Sequence, residues 1–62
     1  MVRVWLRPSI GPEFPVDLPA LPVVGTPVRL PGGTTEYVRE VVFDLTGVPV
    51  VQVALTPHRF RG

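Results

Sequence analysis

Residues 34 to 45 read TTEYVREVVFDL, twelve residues without a proline in a chain that has nine, and the way their side chains divide between two faces decides the fold. β-Branched and aromatic residues at a two-residue alternation mark a strand. The better-ordered face is Thr35, Tyr37, Arg39, Val41, Phe43 and Leu45, while Val38 and Val42 fall on the other with Glu36, Glu40 and Asp44. Both faces therefore carry apolar groups. A strand of this kind either bends round a small barrel, burying one face at one end and the other face beyond a bulge, or is covered on both sides by another segment.

On the N-terminal side the strand is preceded by Pro31-Gly32-Gly33-Thr34, a strong turn signal, and by TPVRL, in which Val28 and Leu30 face one way and Arg29 the other. A hairpin is predicted there, with Gly25 opening its first strand. On the C-terminal side Thr46-Gly47 turns the chain into VPVVQVALT, apolar on both faces and ended by Pro57. His58-Arg59-Phe60-Arg61 then forms a single helical turn or a short last strand. At the other end of the chain, Val2, Val4 and Leu6 alternate with Arg3, Trp5 and Arg7 up to Pro8, which gives a strand with one aliphatic face and one Arg-Trp-Arg face.

Between the first strand and the hairpin lies GPEFPVDLPALP, residues 11 to 22, with four prolines in twelve residues. Proline removes a backbone donor and fixes φ, so this segment is neither a helix nor a central strand. Yet Phe14, Val16, Leu18 and Ala20 occupy alternate positions, which a solvated linker has no reason to do. The segment reads as an extended strap with one apolar side. Packed on its own barrel, each of its large side chains contributes about 1.5 to 3 kcal/mol. With a core already filled by Val4, Leu6, Val28, Leu30, Val41, Phe43 and Val53, the strap is instead a stiffened arm for a partner.

No segment has apolar residues at helical spacing, and the prolines leave only the region around 36 to 48 open to a helix, where β-branched and aromatic residues argue against one. The chain is all-β, a single domain over residues 1–62. Strand, long loop, meander and short final element resemble the small SH3-like barrel, with four to five antiparallel strands and a proline-rich extended strap, residues 8–22, after strand 1. An open four-stranded sheet that pairs in a dimer is the alternative. The stretch PVVGTPVRLPGGTTEYVREVVFDL is also similar to a pattern in small proteins of bacteria and their phages, Pro-x-Val-Gly-x-x-Val-x-Leu, turn, Tyr-x-x-x-x-Val. That resemblance spans about half the chain and implies a fold without an activity.

Sixty-two residues build a marginal core, since a domain of about 60 residues buries only ~60% of its unfolded surface. Cysteine is absent, so packing, oligomerisation or a bound partner must supply what a disulfide or thiolate zinc site would give. No apolar run reaches the roughly 18 residues of a membrane helix, and VRVWLRP is not a secretory leader. The expected location is the cytoplasm, or a virion for a phage protein. Net charge is +1, far from the balance of a dedicated nucleic-acid binder. All six basic residues are Arg, with no Lys and no Asn, the bias of GC-rich codons.

Chemistry is sparse. Ser9 and His58 are the only serine and histidine and have no evident partners for nucleophilic catalysis or metal binding. Glu36, Glu40 and Asp44 share a face only if their strand is regular, and read as solvated groups paired with arginines. PGGT lacks the lysine and helix of a phosphate loop. Val51-Gln52-Val53-Ala54 resembles the Val-Gln-Ile-Tyr strand of the plasmid-borne trimethoprim-resistant dihydrofolate reductases, which form a pore from four SH3-like chains. Ala54 stands where their Tyr would, and no lysine is present to line such a pore. Trp5 among Arg3 and Arg7, with Tyr37, Arg39, Arg59, Phe60 and Arg61, has the ingredients of a base-stacking, phosphate-neutralising surface. The reading that unites these features is a non-catalytic protein-binding module, without cofactor or metal, whose contact residues are Phe14, Val16, Asp17 and Leu18. Its partner is another protein or a second copy. The nucleic-acid alternative uses Arg3, Trp5, Arg7, Arg39, Arg59 and Arg61.

Overall fold

The computed structural model describes residues 1–59. Five strands follow one another, β1 (Val2–Arg7), β2 (Phe14–Leu18), β3 (Pro27–Arg29), β4 (Thr35–Asp44) and β5 (Val50–Thr56), and no helix is present among the described residues. They form one sheet in the order β2-β1-β5-β4-β3, curled into a half-barrel. The all-β expectation holds, and β1, β3, β4 and β5 form in the stretches where alternation and turn signals predict strands. The expectation of purely antiparallel strands is corrected, because β1 runs parallel to β5, with Trp5 opposite Gln52 and Arg7 opposite Ala54. Parallel neighbours need a long connection, and here the whole β2-β3-β4 excursion supplies it.

β4 is where the curl is made. Before residue 39 its inward side chains are Glu36 and Val38, and Val38 pairs with Leu55. Beyond it Glu40 pairs with Ala54 and Val41 with Val53, so Arg39 is the extra residue of a β-bulge. The extra residue inverts the alternation. Val38 is fully buried on one phase and Val41 packs on the core on the other, which is how a strand apolar on both faces satisfies a one-sided core. The regular-strand reading of Glu36, Glu40 and Asp44 as one face is thereby corrected: Glu36 is buried, whereas Glu40 lies beyond the bulge and is exposed.

The hairpin between β3 and β4 forms where proline and glycine predict it. The Gly33 amide donates to the Leu30 carbonyl at 3.0 Å and the Leu30 amide to Thr34 at 2.7 Å. Pro31 supplies the fixed φ of the first central residue and Gly32, at φ 100°, the left-handed second one, which makes a type II turn. At the other hairpin, Asp44 opposite Val50 closes the loop of residues 45–49. Asp44 Oδ1 accepts from the Thr46 amide at 3.0 Å and from its hydroxyl at 2.7 Å, an Asx turn.

The strap is a strand of the sheet over part of its length. Val2, Val4 and Leu6 pair with Leu18, Val16 and Phe14, and Pro15 is tolerated opposite Trp5 because β2 is an edge strand, where a missing donor faces no further neighbour. Val4, Leu6, Val38, Val53 and Leu55 form the buried core, with Phe14, Val16, Leu18, Val28, Leu30, Val41 and Val51 packed around it. Phe43, expected in the core, is 59% exposed, because it lies on the hairpin beyond the last residues of β4 that other strands cover. β5 ends at Thr56, and His58 and Arg59 extend no strand; the rest of the expected last element, Phe60 and Arg61, falls outside the described residues.

Candidate apolar cleft and arginine face

A sheet with β2 and β3 at its two ends has two free edges, and the curl turns them toward each other. The chain itself bridges them. Leu18 ends β2, Pro19 to Pro22 continue from it, and a turn closed by the Thr26 amide on the Val23 carbonyl at 3.1 Å delivers the chain to β3. Gly25, at φ 95°, takes the left-handed conformation that this turn requires. Its amide donates to the Val38 carbonyl at 2.8 Å, and the Val38 amide donates to Thr26 at 3.0 Å, which anchors the crossing on β4.

Between the edges lies a half-open cleft of about 340 Å³, lined by Leu6, Leu18, Pro19, Ala20, Pro22, Thr26, Pro27 and Val28. Its walls are almost wholly apolar. The prolines have a physical role here: they stiffen the rim and present ring carbons where an ordinary peptide would present an N–H. Such a surface offers no group for proton transfer and no ligand for a metal, but it offers a preformed place for an apolar group. The lining comes from three separate stretches of the chain, so no local motif announces it. Of its residues Leu18 and Ala20 were singled out by the alternation of the strap.

Phe14, Val16 and Leu18 are half-buried and pack on the chain's own core. Asp17 points to the opposite face, where its carboxylate receives two hydrogen bonds from the Arg3 guanidinium, at 2.9 and 3.3 Å. The pairing lowers the Asp17 pKa below its ordinary value and raises that of Arg3. The other members of this outer face are similarly matched. Arg7 approaches Glu13 at 3.6 Å and Arg39 approaches Glu40 at 3.6 Å. Trp5 sits half-buried between Pro15 and Gln52. Three guanidinium groups of the predicted nucleic-acid surface thus have carboxylate neighbours; Arg59 lies exposed after β5, and Arg61 is outside the described residues.

One polar contact was not foreseen. Glu36 is the buried charged residue of the core face, 4% exposed. Both carboxylate oxygens are occupied by Ser9, whose amide donates to Oε1 at 3.0 Å and whose hydroxyl donates to Oε2. A residue from the loop after β1 is thereby tied to β4 with β5 between the two strands. The sequence signal was the lone serine itself, which reads as inert without its distant partner. The curl that creates this contact and the cleft was compared with known proteins: no family model, curated protein or solved structure matches the chain.

Proposed function

We propose that the protein is a non-catalytic protein-binding module of SH3-like architecture that receives an apolar element of its partner in the cleft between β2 and β3. The observation that carries the reading is the cleft itself: about 340 Å³ of preformed apolar space flanked by two free strand edges, the combination that side-chain insertion with strand addition uses. Proline rings at the rim reduce the ordering cost of binding. The long loop after β1 and the β3-β4-β5 meander support the SH3-like description. The reading accommodates the strap differently from a free arm, since Phe14, Val16 and Leu18 are spent on the core and Leu18 acts through the cleft.

Nucleic-acid binding is the less favoured reading, because Arg3, Arg7 and Arg39 each lie beside a carboxylate and phosphate contacts would have to displace it. The two are separated by capture of partners on the immobilised chain and on its Ala20→Glu variant, with nuclease-treated and untreated lysates. A protein retained by the wild type after nuclease and lost from Ala20→Glu is the expected result. Recovery abolished by nuclease, with weakening at raised salt and on Arg3→Ala, would replace this reading.

A further inference from the structure

The chain carries an apolar knob as well as an apolar hole. At the tip of the β4–β5 hairpin Phe43 is 59% exposed, Leu45 72% and Val48 84%. None of these residues lines the cleft. Phe43 continues the inward face of β4 opposite Val51, past the point where β3 covers it: β3 pairs only with Thr35 to Tyr37, and Gly25 and Thr26 reach only Val38. The tip is held in shape by the Asp44–Thr46 turn, so its side chains project from a preorganised loop.

The sizes agree. An apolar cavity of about 150 Å³ holds one benzene molecule, so a cleft of about 340 Å³ has room for the Phe43 ring together with the Leu45 side chain. Resting on the cleft-binding reading above, we propose that the occupant of the cleft is the β4–β5 tip of a second copy of this chain. Knob and hole are different surfaces, so the contact is either heterologous, each copy giving its tip to one neighbour and its cleft to another, or reciprocal, two copies exchanging tips across a two-fold. The heterologous form closes into a ring or runs on as a filament, whereas the reciprocal form stops at a dimer. Two inserted side chains make a contact smaller than stable interfaces bury, so association is expected in the range of about 10 μM to 1 mM.

Sedimentation across that range, on the chain and on paired variants, tests the proposal. Wild-type mass should rise with concentration, to that of a dimer where tips are exchanged reciprocally and past it where they are not. Phe43→Ser, which keeps the hole, and Ala20→Glu, which keeps the knob, should each be monomeric; mixed, they should form one-to-one dimers and stop there, since one knob and one hole remain. Leu45→Ser should act as Phe43→Ser does, and amide NMR spectra of the wild-type type establish that each variant is folded. A mixture that stays monomeric, a Phe43→Ser chain that still associates, or a wild type that remains monomeric throughout would each overturn the self-association. In the last case a lysate protein that Ala20→Glu loses would leave the binding-module reading intact, and the absence of both would remove the two together.

Discussion

At the scale of single residues, the contact between Ser9 and Glu36 has the most to answer for. A carboxylate buried among aliphatic groups costs free energy unless its oxygens are satisfied, and Ser9 satisfies both with one amide and one hydroxyl. Ser9→Ala removes the hydroxyl and should destabilise by about 1.5 to 3 kcal/mol, the range for a hydrogen bond to a charged group. In a Glu36→Leu background the same change should be nearly neutral, because no acceptor is left wanting; urea denaturation of the four proteins of this cycle measures the coupling. Equal losses in both backgrounds would mean that the bond contributes nothing. Asp44 makes a second residue-level prediction. Its side-chain and backbone hydrogen bonds from Thr46 lower its pKa from the ordinary 3.8. A carboxylate with a depressed folded pKa adds stability above its unfolded pKa and loses it as pH falls through the folded value. The tip should therefore keep its turn at pH 5 and lose it only below about 3.8. NMR titration should place the Asp44 midpoint below that value, and Thr46→Ala should move it back up.

At the scale of elements, β4 explains both what was legible and what was not. Alternation gave β1, the proline-glycine turn gave the β3–β4 hairpin, and apolar groups on both faces of residues 34 to 45 called for a bulge or a second cover. The position of the bulge was not legible, since Val38, Val41 and Val42 are equally apolar and nothing local says which phase is inward. Nor was the parallel pairing of β1 with β5, which depends on the path of the intervening chain. The core assignment of Phe43 failed for the same reason: it has the right phase after the bulge but lies beyond the covering strands. The bulge is testable through its two meanings. Arg39→Ala removes only an exposed side chain whose ion pair with Glu40 is surface-screened, and should change stability by less than about 0.5 kcal/mol. Deleting Arg39 leaves Val38 and Val41 two positions apart, so a regular strand keeps Val38, Val41 and Phe43 on the inward face and Glu40 and Asp44 on the outer one, and only the local bend is lost. That deletion should still unfold cooperatively by circular dichroism, and a deletion variant that loses its cooperative transition would show that the bend made at Arg39, and not the phase alone, holds the half-barrel together.

At the scale of the whole molecule, the core is small enough for its environment to matter. A chain of 62 residues at 0.05 to 0.15 kcal/mol per residue holds roughly 3 to 9 kcal/mol of stability. Removing one well-buried leucine side chain, Leu55→Ala, should cost about 2 to 5 kcal/mol and leave a substantial unfolded fraction at ambient temperature, read as a lost or shallow melting transition. The cleft lies within this same economy of contacts: Leu6 belongs to the core and also lines the cleft, so filling the cleft covers apolar surface that the half-barrel leaves open. Anything that binds the folded state alone raises its apparent stability by mass action, by about 1.4 kcal/mol at ten times Kd. In a domain of this size that corresponds to a rise in Tm of about 5 to 10 °C. With a second copy as the occupant, the ligand concentration is the protein concentration. The Tm of the wild type should therefore climb between about 10 μM and 1 mM, while Ala20→Glu, with a charge at the rim, and Phe43→Ser, with no ring to insert, should melt at one temperature across the same range. A wild-type Tm that does not move with concentration would separate the stability of the half-barrel from any occupant of its seam.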